Sequence, residues 1–218
     1  IADFIIVVAK TDPNERAKGI SLMLLETEGA EGFQRGRKLD KIGLDAADTS
    51  ELFFDDVFVP AENVLGGVEG RGFYQLMGEL PQERLIIAVG AINGIEKALE
   101  TTMDYVKSRK AFGQTIWDFQ NTQFVMADLK ARSTAARIFV NDCIARHLKG
   151  ELDVATACMA KYWVTELQGE VVDKCLQFHG GAGFINDYPI ARMYRDSRIT
   201  RIFGGSNEVM KMVIARSM

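Results

Sequence analysis

Apolar residues recur at the spacing of one helix face over much of the sequence, and this periodicity limits the possible folds more than any other feature. The first such segment begins at Arg84. Its apolar face comprises Leu85, Ala88, Val89, Ile92, Ile95, Leu99, Met103 and Val106. The spacing predicts an amphipathic helix. Pro81 either opens this helix or kinks a longer one that begins near Gly72.

Two further segments carry helical signals, and a short one closes the chain. Apolar positions between 125 and 147 predict a second helix, which Lys149-Gly150 ends. Asp153 is suited to cap a third helix that extends to about Phe178. A last helix begins after the second glycine pair, with Ser206 or Gly205 near its N-cap. We therefore predict an antiparallel four-helix-type bundle.

The N-terminal third of the chain has a different pattern. Four apolar runs of strand length follow one another with no helical segment between them: 4–10, 20–25, 32–39 and 50–59, the last closed by Pro60. Strands in direct succession favour antiparallel pairing. The predicted fold class is thus mainly α, with a bundle at 68–218 preceded by part of an antiparallel β-domain at 1–67.

Composition narrows the classes of partner. A net charge of −4 with mixed signs gives no reason to expect nucleic acid. No apolar run is long enough to predict a membrane span. Cys143, Cys158 and Cys175 lack the spacing of metal ligands, so we predict buried thiols in a reducing compartment and no metal site.

The stretch 177–208 carries the strongest local signal for a binding site. It contains two glycine pairs, Gly180-Gly181 and Gly204-Gly205, on either side of a basic segment. Glycine allows a ligand or another backbone to approach closely. The second pair leads into the last helix, whose first N–H groups are suited to an anion or a carbonyl. One such pair is also typical of a helix C-cap followed by a turn.

The residues of this stretch resemble the C-terminal signature of the acyl-CoA dehydrogenase family. The resemblance rests on Gln177, Gly180, Gly181, Gly183, Phe184, Asp187, Arg192, Asp196 and the segment FGGSNEVMKMVIAR. It extends over the whole chain, since ADTSELFFDDVFVPAENVLG resembles the exit of the family's middle β-domain. By resemblance, 1–67 matches only the later strands of that domain, and we expect this chain by itself to bind FAD weakly or not at all.

The resemblance implies FAD as cofactor and assigns its contacts. The matching positions are Arg109, Gln120, Gln177, Phe178, His179, Gly180, Gly181, Ser206, Asn207 and Glu208. A guanidinium suits the pyrophosphate of the dinucleotide. In the family, Arg109, Gln120 and the group that begins at Gln177 reach the cofactor of a neighbouring subunit, which implies a dimer or a tetramer. We expect His179 to be a packing residue near the cofactor, without an acid–base role.

The resemblance also assigns the catalytic base. Many members of the family carry a glutamate at the position of Gly204, whereas the long-chain and isovaleryl branches carry it on the first bundle helix, where this chain has Glu83. A carboxylate after Pro81 also favours the helix dipole without any catalytic role. Glu79 lies four residues earlier, and a break at Pro81 would direct it elsewhere. The implied substrate contacts are Tyr74, Pro81, Gln82, Arg84, Gly204 and Gly205.

The implied activity is FAD-dependent dehydrogenation of an acyl-CoA thioester to the trans-2-enoyl-CoA, with an electron-transfer flavoprotein as electron acceptor. Two alternatives within the same fold are an acyl-CoA oxidase and a branched-chain acyl-CoA dehydrogenase. A third, of a different class, is a flavin-free helical assembly module. We expect the protein in the cytoplasm of a bacterium or in the mitochondrial matrix of a eukaryote.

Overall fold

Two antiparallel strand pairs make up the regular structure of the N-terminal part. The computed structural model describes residues 2–218, and the chain divides into two units, Ile1–Glu79 and Leu80–Met218. In the first unit β1 (Phe4–Lys10) pairs with β2 (Ile20–Glu26), and β3 (Phe33–Lys38) pairs with β4 (Ser50–Phe54).

The four predicted strands are confirmed, but the fourth is shorter than predicted. β4 ends at Phe54 rather than at Val59. Asp56 adopts a φ of 49°, in the left-handed region, and this turns the chain out of the extended conformation. The apolar residues after it therefore continue as an irregular segment.

The first helix is the longer of the two forms that the sequence allows. α1 covers Gly72–Ser108 and continues through Pro81 without interruption. A proline inside a helix removes one N–H and therefore one backbone hydrogen bond. Since the helical register is kept, Glu79 and Glu83 lie one turn apart on α1, and Pro81 does not turn Glu79 away.

The second unit continues with four more helices and one very short hairpin. The hairpin pairs β5 (Lys110–Ala111) with β6 (Gln114–Thr115), and the helices are α2 (Gln120–Leu148), α3 (Val154–His179), α4 (Pro189–Ser197) and α5 (Asn207–Arg216). The predicted cap of α3 is confirmed, because the Asp153 carboxylate accepts a hydrogen bond from the Thr156 N–H at 2.8 Å. α2 ends at Leu148, as Lys149-Gly150 predicts.

Pairs of contacting residues give the directions of the long helices. Arg137 on α2 bonds Glu96 on α1, and Arg132 on α2 bonds Glu170 on α3. Phe139, further along α2, meets Trp163, which lies earlier on α3, so these two helices are antiparallel. The contacts between α1 and α3 join residues 74 apart at both ends, and these two helices run parallel.

The core of the second unit lies between α1, α2 and α3. The predicted apolar faces contribute Leu85, Ile92, Ile95 and Leu129, and α3 adds Val164. The three cysteines are buried and free, as predicted. With 59% of residues in helices and 14% in strands, the mainly α fold class is confirmed.

α4 is the one regular helix of the bundle that the sequence analysis missed. Its nine residues begin with Pro189 at the first helical position, where the missing N–H has no partner to lose. It brings the chain back along α3 towards the last helix. Within residues 2–218 no helix is long and apolar enough to cross a membrane, and no cluster of three or more potential metal ligands is found.

Candidate active site

The turn at Gly204 and Gly205, which leads into α5, has a backbone that only glycine adopts readily. The φ values are 64° at Gly204 and 91° at Gly205. A Cβ added to Gly204 would lie 2.3 Å from Ile87 Cδ1, and one added to Gly205 would lie 2.7 Å from Met210 Cε. The backbone of Gly204 therefore lies directly against the Ile87 side chain of α1.

Glu83 is one helical turn before Ile87 and shares its face of α1. Its side chain is exposed. Because Ile87 touches Gly204, the face of α1 that carries Glu83 adjoins the glycine turn. A carboxylate next to backbone amide groups is an arrangement that can remove a proton from carbon while an N–H holds the neighbouring carbonyl oxygen.

The start of α5 is built as the sequence predicts. The Ser206 side chain caps the helix and accepts a hydrogen bond from the Val209 N–H at 3.5 Å. The first N–H groups of a helix have no acceptor within it. Glu208 is exposed, and a hydrogen bond with its own backbone N–H lowers the pKa of its carboxyl group.

Asn207 is buried, although the resemblance assigns it to the cofactor. Its side chain is 1% exposed. Its amide donates to Thr165 Oγ1 at 3.1 Å and to Glu166 Oε1 at 2.7 Å, both on α3. Asn207 thus ties the first turn of α5 to α3, and a contact with cofactor stays a prediction.

Lys161 on α3 completes this arrangement and was not among the predicted site residues. Its side chain is fully buried. The ammonium group donates to the Gly205 carbonyl and to Asn207 Oδ1, each at 2.8 Å. Burial lowers the pKa of Lys161, while the carboxylates of Glu166 and Glu208 act in the opposite direction. The burial of Lys161 could have been predicted from its position, four residues after Ala157 and three before Val164, which places it on the buried face of α3.

Arg84 points into the bundle. It is 7% exposed, its Nη1 donates to Cys158 Sγ at 3.3 Å, and its buried Nε has no partner among the described residues. Burial raises the pKa of the Cys158 thiol, and the Arg84 charge acts against this rise. A role for Arg84 in substrate binding stays a prediction.

The remaining predicted substrate contacts lie near the start of α1. Tyr74 is exposed, and the Arg71 guanidinium carbon lies 5.7 Å from the centre of its ring. Pro81 is half-buried and Gln82 is exposed. Their contacts with substrate stay predictions.

Arg109 and Gln120 flank the short hairpin at the other end of α1. Both side chains are exposed. At the tip of the hairpin, Phe112 and Gly113 have φ values of 54° and 84°. A positive φ is strained for a bulky residue, and the Phe112 ring is 96% exposed. Strained and exposed residues of this kind cluster at functional sites.

Tyr105 brings the end of α1 together with the end of α3. Its ring stacks on His179 with 4.2 Å between the ring centres, and its hydroxyl donates to the His179 carbonyl at 3.2 Å. His179 is buried, its Nδ1 lies 2.9 Å from the Cys175 carbonyl, and burial lowers the pKa of its imidazole. These contacts agree with the packing role expected for His179.

The chain around the first glycine pair is open. Gln177 and the two glycines are exposed, and Phe178 is half-buried. Gly180 ends α3 with a φ of 56°, and a Cβ on Gly181 would meet no atom within 4 Å. Internal packing therefore gives no reason for glycine at 181, whereas approach of a ligand does. With the exposed Arg109 guanidinium at the same end, these residues fit a pyrophosphate.

The predicted site residues of the second unit thus form two groups at opposite ends of the parallel pair α1 and α3. Glu83 and the Gly204 turn lie at one end, and Arg109, Gln177 and Gly181 lie at the other. From Arg84 to Tyr105, α1 advances by roughly 30 Å at the rise of an ideal helix.

The comparisons with known proteins agree with this fold. The family model "Acyl-CoA dehydrogenase, C-terminal domain" matches residues 70–218, and "Acyl-CoA dehydrogenase, middle domain" matches residues 1–57. Mitochondrial long-chain specific acyl-CoA dehydrogenase of Mus musculus is 50% identical over 100% of this chain. Mitochondrial isovaleryl-CoA dehydrogenase of Oryza sativa subsp. japonica is 36% identical over 100%. The chain spans about half the length of these relatives, 51% and 53%.

Solved structures give the same result. An acyl-CoA dehydrogenase from Geobacillus kaustophilus has a TM-score of 0.95 at 46% identity and covers 99% of this chain and 57% of its own. A structure described as an electron transferring flavoprotein of Acidaminococcus fermentans has a TM-score of 0.93 at 38% identity, covering 99% and 56%. An FAD complex of PigA has a TM-score of 0.91 at 30% identity, covering 100% and 56%.

Fold and similarity together define the class of this chain, which combines a middle domain and a C-terminal domain of the acyl-CoA dehydrogenase type. The chain belongs to the acyl-CoA dehydrogenase family.

Proposed function

We propose that the protein containing this chain oxidises an acyl-CoA thioester to the trans-2-enoyl-CoA with FAD as cofactor. The contact between Ile87 and Gly204 carries this proposal, because it sets the Glu83 face of α1 against the glycine turn. A family member with glycine at 204 needs its base elsewhere, and Glu83 adjoins the same turn. Two relatives with 50% and 51% identity are long-chain specific, which favours long acyl chains over branched ones as substrates.

In the proposed reaction Glu83 removes the α proton of the thioester. Such a proton is too weakly acidic for a carboxylate unless the negative charge that develops on the carbonyl oxygen is stabilised. The Gly204 N–H is the donor proposed for that oxygen. An acyl chain that excludes water from a carboxylate makes that carboxylate a stronger base. FAD, when bound, accepts the hydride from Cβ of the substrate.

The residues proposed to hold FAD are the two groups at opposite ends of α1 and α3. Ser206 and Glu208 belong to the group beside Glu83, whereas Arg109, Gln120 and Gln177 to Gly181 belong to the distant one. A separation of roughly 30 Å along α1 supports their use on the cofactors of two different subunits. We therefore propose a homo-oligomer, a dimer or a tetramer.

The proposed electron acceptor is an electron-transfer flavoprotein. Oxygen is the acceptor in the alternative reading as an oxidase. Reoxidation of the substrate-reduced enzyme in air, with and without an added electron-transfer flavoprotein, separates the two. Localisation in the bacterial cytoplasm or the mitochondrial matrix stays a prediction.

Substitution of Glu83 tests the proposed function. In the full-length, flavin-loaded protein, Glu83→Gln keeps shape and hydrogen bonding but loses the base, so we expect flavin reduction by acyl-CoA to slow by at least about 10²–10⁴-fold. Glu79→Gln is the matched control, one turn earlier on the same helix, and is expected to reduce flavin at nearly the normal rate. Anaerobic stopped-flow absorbance measures both. Normal reduction in Glu83→Gln would remove the assignment of the base.

A further inference from the structure

Lys161 has the largest fully buried side chain among the described residues. Charged residues are almost never fully buried unless they are paired. Its two hydrogen-bond acceptors, the Gly205 carbonyl and the Asn207 side-chain carbonyl, are both uncharged. An apolar side chain of similar length would fill the same space, but it would leave the Gly205 carbonyl and Asn207 Oδ1 without this donor.

The bond from Lys161 fixes the orientation of the glycine turn. In a planar trans peptide the C=O and the following N–H point in opposite directions. Since the Gly205 carbonyl points inward to Lys161, the Ser206 N–H points away from it. Asn207 is held by the same ammonium and by Thr165 and Glu166, so α3 anchors both the turn and the first residue of α5.

The charge of Lys161 lies in an unfavourable place for folding alone. The N-terminus of a helix carries a partial positive charge, and a cation beside it is destabilising. Arg84, a second buried cation, approaches Cys158 on the turn of α3 before Lys161, and its charge is one of the causes that lower the Lys161 pKa. The carboxylates of Glu166 and Glu208 offset part of this charge, but the Lys161 ammonium is bonded directly to the turn, where a cation favours an anion that forms on the outer side.

We propose that Lys161 is a positioning residue for the proposed dehydrogenation. It holds the backbone from Gly204 to Asn207 in the conformation that receives the thioester oxygen, and its charge favours the enolate form of the substrate. This inference rests on the proposed function, because only a reaction that develops negative charge at the turn makes use of the arrangement.

The test uses the full-length, flavin-loaded protein with three substitutions. Lys161→Met keeps the aliphatic stem and removes the charge and the donors, whereas Lys161→Arg keeps both. Val164→Ala is the matched control, because it opens a cavity in the core one turn further along α3 and removes no hydrogen bond to the glycine turn. Val164→Ala therefore reports the effect of lost stability alone.

Two measurements are made on each protein. Amide hydrogen exchange of the peptide that covers 202–210 reports whether the turn is held. Anaerobic stopped-flow flavin reduction over a range of acyl-CoA concentrations reports the limiting rate and the half-saturating concentration separately.

We expect the backbone amides of 202–210 to exchange hydrogen faster in Lys161→Met than in Val164→Ala. Its limiting rate should fall by at least about 10-fold, part of the roughly 10²–10³-fold loss caused by removing an oxyanion donor. The half-saturating concentration should stay within about 3-fold of its normal value, because the affected interaction strengthens only as charge develops. Lys161→Arg should recover part of the rate.

Other results would overturn the proposal. Exchange in 202–210 equal to that of Val164→Ala would show that Lys161 does not hold the turn, and an equal limiting rate would show that it does not assist the reaction. Where Lys161→Met does not fold, Thr165→Val removes the hydroxyl that supports Asn207 and should produce the same changes, smaller in size. If no acyl-CoA reduces the flavin of the wild-type protein, the proposed function and the rate effect are both overturned. Hydrogen exchange would still decide whether Lys161 holds the turn.

Discussion

Substitution of Gly204 by alanine should destabilise the protein for two reasons that the structure separates. The φ of 64° costs an L-residue roughly 1–2 kcal/mol. The new Cβ would lie 2.3 Å from Ile87 Cδ1, which must move away. Displacing that side chain from its preferred rotamer costs about 0.5–1.5 kcal/mol. We therefore expect Gly204→Ala to lower the free energy of unfolding by about 1.5–3.5 kcal/mol.

The steric part of this cost can be removed by a second substitution. Ile87→Val deletes Cδ1, and the next atom of Ile87, Cγ1, is 3.9 Å from the added Cβ. Alone, Ile87→Val costs about 0.5–1.5 kcal/mol. The destabilisation of the double variant should be smaller than the sum of the two single destabilisations by about 0.5–1.5 kcal/mol, because the contact is relieved while the strained φ remains.

Urea denaturation of the full-length protein, followed by far-ultraviolet circular dichroism, measures the four free energies of this cycle. Gly90→Ala is the control, since Gly90 lies exposed within α1 and an added Cβ meets nothing within 4 Å. There the substitution should stabilise the protein by about 0.5–1 kcal/mol. A free energy of unfolding of Gly204→Ala within about 0.5 kcal/mol of the wild-type value would refute the reasoning about the turn, because deviations of that size occur even between independent sites.

Two further predictions concern charge and assembly. Arg132 bonds both carboxylate oxygens of Glu170, at 2.7 and 2.5 Å, and lowers its pKa below the usual 4.5. The pKa of Glu170 is lower in the folded protein than in the unfolded chain. The pair therefore stabilises the protein fully above the unfolded pKa, and this stabilisation is lost as the pH falls through the folded pKa. Because both side chains are partly exposed, Glu170→Gln should lower the free energy of unfolding by only about 0.2–1 kcal/mol at pH 7. When stability is measured at decreasing pH, the difference between the variant and the wild type should shrink below about pH 4.5. A difference that stays constant with pH would contradict this. Light scattering of the full-length, flavin-loaded protein should give a dimer or a tetramer, and a monomer would contradict the assignment of Arg109 and Gln177 to a neighbouring subunit.

Local signals in the sequence were enough to predict most of the elements. Helix periodicity, the cap at Asp153, the end at Gly150 and the cap at Ser206 all correspond to observed boundaries. Each depends on interactions within a few residues, which the sequence contains in full. Pro81 is the exception, since a proline can either open or interrupt a helix, and the sequence left both forms possible.

The family, and with it the identity of the candidate base, was also contained in the sequence. The glycine pairs and the segment around Glu83 keep their order and spacing whatever the fold, so a resemblance could be stated from them. The same signals did not predict which of the matched residues are buried. Asn207 and Arg84, assigned to ligands by resemblance, are bonded within the bundle.

Only the tertiary structure brought Ile87, Lys161 and Tyr105 to the site. Ile87 and Gly204 are 117 positions apart in the chain, and Lys161 and Gly205 are 44 apart. Such contacts depend on how α1, α3 and the returning segment pack, and no local pattern encodes that packing. The sequence therefore determined most of the helices and the residues proposed to carry the chemistry, whereas packing between distant segments decided how the glycine turn is held.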